Sequence, residues 1–90
     1  MTTTSHITMD DLLSNLESYS HGTIIEAHRT TRTKKFEFAV QIDREMGRGL
    51  EYKLWVSESH MVGWLSLCQI TETLRSANPM PSDLRKIEEQ

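Results

Sequence analysis

Lys35-Phe-Glu-Phe-Ala-Val-Gln-Ile-Asp43 alternates apolar and polar side chains along its whole length. A period of two is the signature of a strand with one buried and one wet face. Phe36, Phe38, Val40 and Ile42 fall on one side. Lys35, Glu37, Ala39, Gln41 and Asp43 fall on the other. Leu50 to Val56 repeats the pattern, with Leu50, Tyr52, Leu54 and Val56 opposed to Glu51, Lys53 and Trp55. Thr23 to Arg29 opens with β-branched residues and reads as a third strand. The links between these runs are short, and Gly47 and Gly49 suit the second turn. Short links make antiparallel neighbours, so the expected sheet is a three-stranded antiparallel meander.

Three strands must cover their apolar face with helices. Thr8 to Tyr19 supplies one. Thr8 is a suitable N-cap, Asp10 and Asp11 favour the positive end of the dipole, and Met9, Leu12, Leu13 and Leu16 form a stripe. Gly22 is the expected stop. The second predicted helix runs from Glu58 to Arg75 behind Ser57 as N-cap. Met61, Trp64, Leu65 and Cys68 share one stripe, with Leu67, Ile70 and Leu74 beside it. That face is broader than a single sheet needs, so it is covered either by the N-terminal helix or the C-terminal segment, or by a partner or second copy of the chain. Asn78-Pro-Met-Pro81 ends the helix, and Ser82 to Glu89 is expected as a short C-terminal helix. The fold class is therefore α+β, in the order helix–strand–strand–strand–helix plus that last helix. Residues 1–7 are expected as a frayed tail and residues 8–90 as one domain.

A chain of 90 residues builds a single core. It buries only about 60–65% of the surface its unfolded form exposes, and its lone Cys68 rules out an intrachain disulfide. Self-association is the remaining common source of stability. No apolar run reaches the roughly 20 residues that span a bilayer, so no membrane role is expected. Met1 to His6 has neither the charged nor the apolar region of a secretory signal, and a single cysteine suits a reducing compartment. The expected location is the cytoplasm.

Chemistry-bearing motifs are few. His6, His21, His28 and His60 form no metal-ligand spacing, and no glycine-rich loop precedes a helix. Cys68 lies in an apolar stripe and reads as core. No cofactor, metal or catalytic residues are assigned. His28-Arg-Thr-Thr-Arg-Thr-Lys-Lys35 carries four of the ten Lys and Arg residues and no acid. Arg29, Arg32, Lys34 and Lys35 there could neutralise phosphates, although the net charge is −3 and no aromatic is interleaved. Trp55 lies on the polar side of its strand beside Lys53, Glu37 and Glu26, where a tryptophan is either an interaction anchor or is covered by the C-terminal segment through Met80 and Leu84. The order of elements is also that of the double-stranded RNA-binding domain. That family places lysines at the start of its second helix, whereas Ser57-Glu-Ser-His60 has none, so no family is assigned.

The expected function is that of a non-enzymatic regulatory protein, an inhibitor, adaptor or accessory factor of the size common among phage and plasmid proteins. It would bind another protein and form a homodimer. The expected interaction residues are Trp55, Lys53, Glu37, Trp64, Leu67, Ile70 and Leu74. The alternative is a nucleic-acid-binding regulator using the basic turn at 28–35.

Overall fold

The computed structural model describes residues 1–29, 35–45, 47, 49, 51–77 and 80–89. The described chain forms β1 (Thr2–Ile7), α1 (Met9–Asn15), β2 (Ile24–His28), β3 (Phe38–Ile42), β4 (Tyr52–Ser57), β5 (His60–Leu65), α2 (Leu67–Arg75) and β6 (Asp83–Glu89). The strands make one six-stranded sheet in the order β1-β6-β2-β3-β4-β5. Every neighbouring pair is antiparallel.

The expected meander is present as β2-β3-β4, but it is the middle of a larger sheet. The three-stranded, helix–strand–strand–strand–helix reading is overturned at three places. Thr2–Ile7 is not a tail but an edge strand, paired residue by residue from Thr2↔Glu89 to Ile7↔Leu84. Its β-branched threonines suit an extended backbone once a partner strand is available. The stretch expected as the start of the second helix is β5, hydrogen-bonded to β4 behind a turn at Glu58 and Ser59. Val62 and Gly63 are poor helix formers, and β4 would otherwise present a bare edge. The expected C-terminal helix is β6, inserted between β1 and β2. Its Arg, Lys and Glu residues favour helix in isolation, but pairing on both sides overrides that weak preference.

Both helices start where their caps dictate. The Thr8 hydroxyl accepts the Asp11 amide at 3.0 Å, and the Asp11 carboxylate accepts the Thr8 amide at 3.2 Å. Ser66 and Gln69 form the same reciprocal pair ahead of α2. At the far end of α1, Tyr52 Oη and Arg44 Nη2 both donate to the Leu16 carbonyl, at 3.0 and 2.8 Å. They satisfy a carbonyl that the helix leaves open. Gly22, at φ +89°, then turns the chain into β2.

The two helices share one face of the sheet. Leu12 and Leu16 of α1 and Ile70 and Leu74 of α2 pack in a single core with Ile25, Ala27, Val40, Ile42, Tyr52 and Leu84. Phe38 and Leu54 pack against it, as the alternation predicted. Phe36 does not join this core. It is buried on the other side, where it lines a recess described below.

Candidate functional site

The side of the sheet away from the helices is the candidate site. Strand register arranges its residues in rows that cross the whole sheet. One row runs Thr4, Ile87, Ile24, Gln41, Lys53, Trp64, and the next runs His6, Arg85, Glu26, Ala39, Trp55, Met61. With strands about 4.8 Å apart, each row spans roughly 24 Å. A sheet face left to water is normally polar. Here Ile24, Ile87, Ala39, Trp55 and Trp64 put apolar surface across it, and none of them is fully exposed.

Trp55 lines a recess of about 180 Å³. Ile24 and Glu26 enter it from β2, Ala39 and Gln41 from β3. Lys35 and Phe36 come from the segment before β3, and Glu58 from the turn after β4. A second depression, lined by Ser57 and Ser59, adjoins it and shares Lys35, Phe36 and Glu58. Glu26 is 8% exposed, and among the described residues its one hydrogen-bond partner is His28, whose Nε2 lies 3.1 Å from a carboxylate oxygen. Its cross-strand neighbour Arg85 is turned instead to Asp83, with Nη2 and Nε at 2.8 and 2.9 Å. Those bonds, with a further one from His6, hold the Asp83 carboxyl below the usual aspartate range. Lys53 is engaged as well. Its ammonium sits 4.6 Å from the centre of the Trp64 ring and 3.8 Å from Asp43.

The expected interaction residues are divided by the fold. Trp55, Lys53 and Trp64 come together on the open face. Glu37 does not line the recess and faces Arg29 at 3.7 Å. Ile70 and Leu74 are fully buried in the core, and Leu67 packs against it. The broad apolar face expected on one long helix is thus resolved into a strand and a shorter, core-facing helix. Of the basic turn, Arg29 pairs with Glu37 and Lys35 borders the recess. Arg32 and Lys34 lie outside the described residues. Cys68, expected in the core, is exposed on the first turn of α2.

Sequence reasoning missed Phe36, Gln41 and Glu58 as parts of one recess, and the hydrogen bond between Glu26 and His28. The alternation at 38–42 does contain the signal for Ala39 and Gln41, which must face away from Val40. Among the described residues, no group of three or more His, Cys, Asp or Glu side chains is placed to hold a metal ion. No described helix is long and apolar enough to cross a membrane. The chain matches no known family model, and no curated protein or solved structure is significantly similar to it.

Proposed function

We propose that this is a non-enzymatic binding protein, an inhibitor, adaptor or accessory factor, that engages a second protein with the open face of its sheet. The observation that carries this reading is the gathering of Trp55, Trp64, Ile24 and Ile87 on the face that neither helix covers. Half-buried tryptophans flanked by paired charges have the composition of a binding hot spot within a polar rim. The recess beside Trp55 offers a pocket for an anchoring side chain.

The protein acts as a homodimer through β5 in this reading. β5 is an end strand of the sheet, and His60-Met-Val-Gly-Trp-Leu65 carries no Lys, Glu, Asp or Pro to protect its free edge. Met61 and Val62 are 37% and 53% exposed along it. A two-fold axis between Val62 and Gly63 would oppose Met61 to the partner copy's tryptophan at position 64 without setting like charges together.

The test is capture of the partner by immobilised wild-type chain and by a Trp55→Ala/Trp64→Ala variant. Loss of at least tenfold in the amount retained is expected from the double substitution, since each buried interface tryptophan contributes about 2 kcal/mol or more. Equal retention by both chains would remove the open face as the binding surface. Capture of nucleic acid instead, lost steeply with added salt, would favour the basic segment at 28–35.

A further inference from the structure

We propose that the recess between Phe36 and Trp55 receives an arginine side chain of the partner protein, with its guanidinium on Glu26. This rests on the reading of the open face as a protein-binding surface, and it names the chemistry of the anchor.

Glu26 carries the argument. A carboxylate this buried is costly unless its lone pairs are used. Among the described residues it has one hydrogen-bond partner, His28, on one oxygen. The natural cross-strand cation, Arg85, is bound to Asp83. Of the other described cations of this face, Lys53 is engaged with Asp43 and Trp64 and Arg29 with Glu37, while Lys35 borders the recess. The recess itself holds two carboxylates, Glu26 and Glu58, against one ammonium, Lys35. Among the described residues its carboxylates outnumber its cations, which favours positive charge brought by a ligand.

The rest of the lining selects the kind of cation. Phe36 and Trp55 provide aromatic surface, and Ile24 and Ala39 provide an apolar base for an aliphatic stem. A planar guanidinium stacks on an aromatic ring and meets a carboxylate with parallel N–H groups, which a lysine ammonium cannot do. Gln41 adds a side-chain carbonyl as a neutral acceptor. Glu58, in the turn at the rim, adds attraction during approach, in keeping with a chain of net charge −3. Lys35 opposes the ligand from the same rim, and this gives the proposal a second, oppositely signed consequence.

The experiment is a titration of the isotopically labelled, full-length chain with blocked tripeptides Gly-Arg-Gly, Gly-Lys-Gly and Gly-Leu-Gly, followed by nuclear magnetic resonance. The arginine peptide is expected to shift the Trp55 indole N–H and the Ala39 and Gln41 amides saturably at millimolar concentration. Glu26→Gln, with an otherwise unchanged spectrum, is expected to weaken it about tenfold or more, the loss of a charged hydrogen bond. Lys35→Ser is expected to strengthen it. If Glu26→Gln does not fold, Trp55→Leu takes its place, with the same expected loss. No saturable shift at these residues, equal binding of the lysine peptide, or a folded Glu26→Gln chain that binds like the wild type would overturn the proposal. If partner capture still depends on Trp55 and Trp64 in any of those cases, the open face stands and only the arginine anchor is wrong. If capture is independent of them, the face itself is wrong.

Discussion

Arg44 lies in the connection after β3, yet its guanidinium reaches the end of α1. There it donates to the Leu16 and Tyr19 carbonyls, pairs with Glu51 and lies 5.5 Å from the centre of the Tyr52 ring. One side chain therefore ties the first helix to the middle of the sheet. Arg44→Ala leaves two carbonyls without these donors, and a loss of about 1–3 kcal/mol is expected. It should appear as a lower urea midpoint at unchanged slope. Arg44→Lys should recover little, because an ammonium cannot reproduce the fork. Asp83 makes a different prediction. Its folded pKa is depressed, chiefly by the hydrogen bond from Arg85. The unfolded carboxyl titrates near its ordinary value of about 3.9. The stability it contributes is thus fully present above that value and is lost as pH falls through the lower folded pKa. The stability difference between wild type and Asp83→Asn should hold constant above about pH 5 and shrink in acid below about 3.9. A difference that grows toward acid would contradict the assignment.

Among the elements, those that local pattern could specify were legible. Val40 and Ile42, and Tyr52 and Leu54, face the core as their alternation required, and Thr8 caps α1. The failures have one cause, which is that the deciding contacts are distant in sequence. Met61, Trp64, Leu65 and Cys68 fit a helical stripe, but a register irregularity near Trp55 lets Met61 and Trp64 share a sheet face despite their odd spacing. Strand alternation is disguised by that bulge. β6 was hidden because its same-face charges, Asp83 with Arg85 and Lys86 with Glu88, compensate each other two residues apart. A central strand can then carry them. The threonines of β1 become a strand only when β6 is there to pair with. For β5, the dimer reading has a direct check. Val62→Lys places a charge on the free edge while the helix-side core stays untouched. Light scattering should give twice the chain mass for the wild type at micromolar concentration and the single-chain mass for the variant. A wild-type monomer across that range would remove the dimer.

At the scale of the whole molecule, two helical crossovers, β1-α1-β2 and β5-α2-β6, each join parallel strands and both pack on one face. The opposite face is left with tryptophans, isoleucines and a buried carboxylate. The position of Trp55 beside Lys53 on the face away from the core was readable from its place on the polar side of a strand. Its association with Trp64 was not, since that needed β5. The core accounts for Ile70 and Leu74, so the apolar surface that neither helix covers lies on the sheet. The most direct test places a photo-crosslinking amino acid at Gln41, in the middle of the open face, or at Glu72, exposed on α2. The chain is then irradiated in the cells that make it. Adducts with a second protein are expected from position 41 and not from position 72. Adducts from position 72 alone, or from neither position, would contradict the claim that this protein works through the open face of its sheet.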